Sequence, residues 1–399
     1  MLQYIHGNPV FGLHDEQTLS QFTHVLKNAE RGALMADGHL GYVMPIGGVA
    51  AYNNHVSPVG VGFDIGCGNL AVRLDMKTSD LKLSKLLNDI ERYISFGIGQ
   101  TNTEAPKDHP VFDSNDWKAY EKTSLIQDLK KLGREQLGTV GAGNHYIDIF
   151  SDESMNIWIG VHFGSRGLGH KTASGFINLS QQKPWDARVS EIEVLLDLNS
   201  DLGERYYRAM RLCGAYAKAG REWVCSYVAR LADAPIVEEV HNHHNYAWKE
   251  VHDDKKFIVI RKGATPAFPG QVSFVGGSMG DPSVILEGID SQESRKALYS
   301  TVHGAGRVMS RTKAAGKFRG RGKNRKQIRQ GAVTPIMMNE WLKKKKVELR
   351  GGGLDESPHV YRRLTEVLNY HQNTIKIKHW LQPLGVVMAG PDVFDPFRD

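Results

Sequence analysis

A chain of 399 residues with 41% hydrophobic and 24% charged residues can bury one large core or two ordinary ones, and its composition is far from that of disordered chains. Three cysteines, Cys67, Cys213 and Cys225, exclude a disulfide framework and leave one odd, which is the pattern of a reducing compartment. The net charge of +6 points to an acidic partner; no Lys or Arg precedes Lys27 and no apolar run approaches bilayer length, so a cytoplasmic chain without a membrane partner is expected.

The stretch from Gly38 to Gly68 is rich in Gly, Val and Pro, which predicts short strands and tight turns. Leu81, Leu83, Leu86, Leu87, Ile90 and Tyr93 recur at helical spacing and predict a surface helix. A longer helix is expected from Leu202 to Leu231, with Tyr206, Met210, Cys213, Ala217, Val224 and Val228 near one face. That assigns Cys213 and Cys225 to the scaffold. Phe257 to Ile260 and Val272 to Val275 read as strands, and a last helix is expected over Tyr361 to Lys378. No internal repeat or interdomain linker is visible, so residues 1–399 are read as one α+β domain.

Charge is concentrated in one place. Between Arg311 and Arg350, fourteen Lys or Arg face only Glu340 and Glu348. This segment exceeds the net charge of the whole chain, and the remainder is net acidic. With glycines at Gly316 to Gly331 and Gly351 to Gly353, a flexible basic loop near 316–353 is expected. It is either a solvated surface or a site of phosphate neutralisation for RNA.

Five polar groups stand in glycine-rich or β-like contexts: Asp64 and Cys67 in Gly62-Phe-Asp-Ile-Gly-Cys-Gly68, His145 in Gly141-Ala-Gly-Asn-His145, His162 in Val161-His-Phe-Gly-Ser-Arg166, and His244 in His241-Asn-His-His-Asn245. Glycines let an Asp and a Cys three residues apart converge on one ion. Each histidine alone is as compatible with a hydrogen-bonded structural role, and Cys67 alone with a small buried hydrophobe. Thiolate and imidazole suit zinc or iron, whereas the carboxylate favours a harder ion such as manganese. In His303-Gly-Ala-Gly-Arg307, followed by Val308-Met-Ser-Arg311, an approachable imidazole is flanked by glycine amides and two arginines. That serves nucleophilic attack on phosphorus or a phosphate-binding turn without a covalent step. Gly276-Gly-Ser-Met-Gly280 offers further amides to a triphosphate.

These motifs, with Asp37-Gly-His39-Leu-Gly41 and Arg261-Lys-Gly-Ala264, occur in an order that resembles the RtcB family of RNA ligases. The resemblance implies a β-sheet core flanked by helices. It also implies a GTP-dependent enzyme joining RNA 3′-phosphate or 2′,3′-cyclic phosphate ends to 5′-hydroxyl ends, in RNA repair or tRNA splicing. His303 would form a histidine-linked GMP. Cys67 would bridge two manganese ions, one completed by His162 and His244 and the other by Asp64 and His145. Asn144, Asp148, Asn245, Gly277, Ser278, Met279, Ser283, Gly304, Ala305 and Gly306 would hold the nucleotide. Arg166, Lys262, Arg307 and Arg311 would meet RNA or pyrophosphate oxygens, with an accessory activating protein as a further possible partner.

Two departures mark a divergent member. Asp148 stands where the family commonly carries Glu, and Met388-Ala389 stands where it commonly ends in Lys-Gly. Both fall on contacts to the base, so ATP or another nucleotide is an open alternative to GTP. A metal-dependent phosphatase or cyclic phosphodiesterase on RNA ends, and a non-catalytic RNA-binding descendant, are the other readings. The intact His303 motif argues against both.

Overall fold

The computed structural model describes residues 2–190, 192–319, 326–391 and 393. Arg321, Lys323 and Arg325 of the basic segment lie outside the described residues. The fold is mixed α+β, as the sequence predicts, and is organised around two large sheets. One runs, in spatial order, Ile236–His243, Gly68–Lys77, Asn156–Phe163, Tyr146–Ser151, Ile375–Met388, Ser283–Gly288 and Val272–Val275, with Glu348–Arg350 added in parallel to Ile375–Met388. The other runs Gln3–Ile5, Asn8–Val10, Arg31–His39, Ile46–Tyr52, Lys255–Lys262 and Asn245–His252.

Alternation along the strands sorts side chains to two faces. In the first sheet Leu70, Val72, Ile147, Ile149, Ile159 and Val161 pack against Leu86, Leu87, Ile90, Val224 and Val228 from two helices. Ala71, Phe150, Trp158 and Phe274 build a second cluster. The helices are those the periodicity predicts, Leu83–Tyr93 and Asp201–Ala232. The longer one starts where the Ser200 side chain accepts from the Gly203 amide, and it stops at Asp233, whose φ of 56° is left-handed. Cys213 and Cys225 are free and buried on it, as expected of scaffold residues. The predicted strands fall within Lys255–Lys262 and at Val272–Val275.

The expected helix over Tyr361 to Lys378 is not formed. Helical residues stop after Leu364–Leu368 and a short 3-10 turn, Asn369–His371, and the chain then enters the strand Ile375–Met388. In Ile-Lys-Ile-Lys-His-Trp-Leu the apolar residues alternate with polar ones, a period of two, and Pro383 forbids a helix further on. Its first half, Ile375 to Leu381, pairs with Ser283–Gly288 and its second half, Gln382 to Met388, with Tyr146–Ser151, so the strand bridges these two neighbours.

Among its described residues the basic segment forms regular elements. Gly316–Arg319 pairs with Lys326–Gln330, the helix Pro335–Lys345 follows, and Glu348–Arg350 joins the first sheet. Thr334 caps that helix by accepting from the Met337 amide, and Pro335 occupies its first turn, which is an N-terminal signal the charge pattern conceals. Among the described residues no helix is long and apolar enough to cross a membrane.

Ile159 is fully buried at the centre of the first sheet. Ile159→Ala is expected to lower unfolding stability by about 2–5 kcal/mol, read as a fall in the denaturant midpoint with an unchanged m-value.

Candidate functional site

The two sheets are joined along the chain through a single residue. Ile236–His243 belongs to the first and Asn245–His252 to the second, and His244 lies between them. Its amide donates to the Cys67 carbonyl at 2.8 Å, so the turn carrying Asp64 and Cys67 is fastened to the crossing. In that turn the Cys67 amide donates back to the Asp64 carbonyl at 3.0 Å, and Gly66 takes φ +70°, which a side chain rarely adopts. Asp64 and Cys67 therefore reach the same space. A Cβ on Gly164 would lie 2.2 Å from Asp64 Oδ1, so the chain following His162 needs glycine to pass the carboxylate.

His145 immediately precedes the strand Tyr146–Ser151, and His162 lies opposite both Tyr146 and Asn69 in the neighbouring strands. The result is two trios, Cys67 with His162 and His244, and Asp64 with Cys67 and His145. Within each, the ligand atoms lie within 4.8 Å of one another. Cys67 Sγ is 3.3 Å from His162 Nε2 and 3.8 Å from His145 Nε2, while His145 Nε2 is 3.0 Å from Asp64 Oδ2.

Burial and the neighbouring imidazoles hold His162 and His244 well below the usual imidazole range, so both are neutral and have a lone pair to offer. Burial pushes Asp64 up, but the His145 hydrogen bond and charge outweigh it and leave the carboxyl at about 2. Burial and Asp64 push the Cys67 thiol well above its normal range. A thiol, a carboxylate and neutral imidazoles in one buried space fit a transition-metal ion, which offsets the cost of the thiolate. His244 Nδ1 is buried without a hydrogen-bond partner among the described residues, consistent with a ligand atom reserved for an ion.

Arg221, from the long helix, lies fully buried beneath Cys67. Its guanidinium donates to the carbonyls of Gly66 and Phe163 and reaches His241 Nε2 at 2.9 Å and His243 Nδ1 at 3.0 Å. Desolvation pulls it down to about 10, still charged at neutral pH. One side chain thus ties the turn before Cys67 to the strand end beyond His162.

His303 stands next to His244, with ring centroids 5.0 Å apart. Asp37 Oδ2 accepts from the His303 amide at 3.0 Å and the Gly304 amide at 3.2 Å, and it lies 2.6 Å from His303 Nδ1. Asp37 is fully buried. Burial raises its pKa, but the charge and hydrogen bonds of His303 outweigh that and keep the carboxyl ionised. A carboxylate accepts only, so in the neutral ring Nδ1 carries the proton and the Nε2 lone pair is left for chemistry.

A cavity of about 290 Å³ connects these groups. Its wall includes all five candidate ligands and His303, together with Asn144, Asp148, Asn245, Gly277, Ser278 and Met279. The turn Gly304, Ala305 and Gly306, with Arg307 and Arg311, completes the predicted set that lines it. Ser283 is off the wall, but its Oγ accepts from the Gly277 amide at 2.9 Å and so shapes the loop that is on it. Arg166 and Lys262 are also off it. Arg166 donates to the Gly97 carbonyl at 2.9 Å, and Lys262 Nζ donates to the Val59 carbonyl at 3.1 Å.

Arg307 and Arg311 are committed to acids. Arg307 Nη2 donates to the Asp355 carbonyl at 2.9 Å and Nη1 to the Tyr361 hydroxyl at 3.0 Å, while Arg311 pairs with Asp355 and Glu356. Asp148 is pushed well above the carboxylate range by burial, and its Oδ1 has no hydrogen-bond partner among the described residues. Its strand neighbour across the sheet is Val386, and Met388 lies opposite Tyr146.

The sequence reading missed Asp37 as the partner of His303, Arg221, and the acids Asp355 and Glu356. Asp37 sits in a quoted motif, yet no spacing tells which of the later histidines it meets. For Arg221 no local signal exists, because an arginine in a long helix reads as solvent-facing.

Fold and site define an α+β chain with carboxylate, thiol and imidazole donors for one or two metal ions beside an oriented histidine. The family model described as tRNA-splicing ligase RtcB matches residues 19–389. The chain is 32% identical over 436 aligned positions to the RNA-splicing ligase RtcB homolog 2 of Entamoeba dispar, covering 88% of this chain and 79% of that protein. It is 34% identical over 312 positions to the RNA-splicing ligase RtcB of Escherichia coli K12, covering 72% and 76%. With the tRNA-splicing ligase RtcB of Thermococcus kodakarensis the figures are 30% over 363 positions, 72% and 74%. The chain belongs to the RtcB family.

Asp37→Ala is expected to remove the fixed acceptor at Nδ1 and release His303 toward the Nε2-protonated tautomer. Nitrogen NMR of histidine-labelled protein reads the change, and an unaltered tautomer would show that Asp37 does not orient the ring.

Proposed function

We propose that this chain is an RNA ligase that uses GTP and manganese to join RNA 3′-phosphate or 2′,3′-cyclic phosphate ends to 5′-hydroxyl ends, with residues 1–399 forming a single cytoplasmic ligase domain. The coarser part, an RNA ligase, follows the family membership. The finer part rests on one observation, the His303 imidazole held through Nδ1 by a buried carboxylate at the wall of a cavity lined by metal-binding groups.

His303 Nε2 attacks the α-phosphorus of GTP. A P–N bond forms, the bond to the oxygen bridging the α- and β-phosphates breaks, and pyrophosphate departs with that electron pair. Asp37 stabilises the positive charge that develops on the ring. An oxygen of the RNA 3′-phosphate then attacks the same phosphorus and releases the imidazole, giving a diphosphate between RNA and GMP. The 5′-hydroxyl attacks the RNA-side phosphorus, losing its proton, and GMP leaves. A cyclic phosphate end is first opened by water.

Cys67, His162 and His244 would hold one manganese and Asp64, Cys67 and His145 the other. When bound, they supply neutralisation of charge on phosphate oxygens. Asn144, Asn245, the Gly277-Ser278-Met279 loop and the Gly304-Ala305-Gly306 turn are proposed to hold the nucleotide, with Ser283 acting through the Gly277 amide. Asp148 would meet the base. Arg307 and Arg311 reach phosphate or RNA oxygens only by loosening their pairs with Asp355 and Glu356. Arg166 and Lys262 serve RNA from outside the cavity wall.

A neutral Asp148 presents one donor and one acceptor, which matches the N1/N6 edge of adenine, whereas an ionised one matches the two donors of guanine. ATP is therefore the second reading of the nucleotide. With α-phosphate-labelled nucleotide and manganese, the wild type is expected to become labelled from GTP on a denaturing gel, and His303→Ala and Cys67→Ala to lose the label. Label from ATP alone would keep the covalent step and reassign the base. Absence of label from both, with RNA ends and an activating partner supplied, would favour a phosphatase or phosphodiesterase.

Lys343, Lys344 and Lys346 are exposed at the end of the helix Pro335–Lys345, and Lys345 lies over the Trp341 ring. Neutralising all four is expected to weaken RNA binding and flatten the plot of log affinity against log salt by about 0.7 for each single-strand phosphate that these lysines neutralise. An unchanged slope returns this cluster to a solvated surface.

A further inference from the structure

An aromatic cluster flanks the cavity, and none of its rings belongs to the groups above. Tyr42 is 47% exposed and meets Phe63 edge to face, with centroids 5.9 Å apart and planes at 90°. Phe63 in turn stacks on His170 at 5.4 Å and 29°. Lys262 Nζ lies 5.7 Å from the centre of the Tyr42 ring, inside the range of a cation–π contact. The cluster is adjacent to the reacting groups along the chain in three places. Phe63 precedes Asp64, Lys262 precedes the cavity-lining Gly263, and Tyr42 follows the cavity-lining His39 by three residues.

Tyr42 is not a loosely attached side chain. Its neighbour Gly41 donates its amide to Gln21 Oε1 at 3.0 Å and accepts from Gln21 Nε2 at 2.8 Å, so the loop is pinned to the helix Glu16–Val25. Among the described residues the other exposed large aromatics, Tyr4, Tyr93, Phe318 and Trp380, have no cavity-lining residue within three positions along the chain. A fixed, half-exposed ring next to a phosphate-transfer site is costly to leave in water and offers a π-face at no ordering cost.

We propose that Tyr42, backed by Phe63, is a stacking shelf for the nucleobase of a single-stranded nucleotide next to the RNA end being joined. The inference rests on the RNA-ligase reading and adds to it a base contact outside the nucleotide pocket. Every base has a π-face, so the shelf is indifferent to sequence. It contributes affinity and holds the strand in line with the metal-side groups, and it leaves sequence choice to other contacts.

The test measures binding alone, by fluorescence anisotropy in manganese without GTP, so that no ligation occurs. The probes are short single-stranded RNAs, one set ending in a 3′-phosphate and one in a 5′-hydroxyl. Each set includes versions with an abasic nucleotide at the first, second or third position from the end. Tyr42→Ala is expected to weaken binding to intact RNA of one set by about 5- to 150-fold, the range of one base–aromatic stack. On RNA that is abasic at the stacked position it should have no further effect, and Tyr42→Trp should restore binding to intact RNA. Equal weakening on intact and abasic RNA at all three positions, or no weakening with either set, overturns the shelf and leaves the ligase reading standing. A wild type that binds neither set overturns the ligase reading and the shelf together.

Discussion

One buried guanidinium underlies the site. A fully desolvated Arg221 is expensive to hold charged unless its donors are met. Here most of them are met, Nη1 by two backbone carbonyls, of Gly66 and Phe163, and Nη2 by His241 Nε2, while Nε has no partner among the described residues. The carbonyls belong to the two chain segments that deliver Cys67 and His162, so satisfying the cation and placing the ligands are the same act. The helix Asp201–Ala232 that carries Arg221 is itself held by the apolar faces of Val224 and Val228 against the sheet. Core packing is thereby transmitted to the ligand geometry through a single side chain.

His303 is governed by a separate constraint. Asp37 comes from the second sheet, at the end of Arg31–His39, and collects both the imidazole and two backbone amides of the His303 turn. The ring cannot rotate without breaking the Nδ1 contact, and the turn cannot open without exposing a buried carboxylate. The candidate ligands and the anchor of His303 are therefore carried by different sheets.

Much of this was legible, unevenly. Glycines around Asp64 and Cys67 point to a turn that gathers two donors, and the turn is there. The convergence of His145, His162 and His244 is not readable from spacing, since it depends on strand neighbours that are distant in sequence; only the family resemblance brought them together. The misread helix over Tyr361 to Lys378 came from taking a short helical start as a whole element, when the alternation of Ile375, Ile377, His379 and Leu381 already reads as a strand. Charge likewise hid structure: the run Lys343 to Lys346 looks like a loop until Thr334-Pro335 is recognised as a helix start. Asp37 reaches His303 across 266 residues, and Arg221 reaches Phe163 across 58 and Gly66 across 155, which no local pattern encodes.

The position of His244 has a mechanical consequence. It is the lone residue between a strand of one sheet and a strand of the other, so any shear between the sheets is felt at its ring. An ion bound to it and to Cys67 and His162 on the first sheet would act as a rivet across the seam, its binding energy resisting sliding of the two layers. Occupancy of the centre and rigidity of the whole fold then become a single variable, and a chain deprived of its metal would be looser at its middle than at its edges.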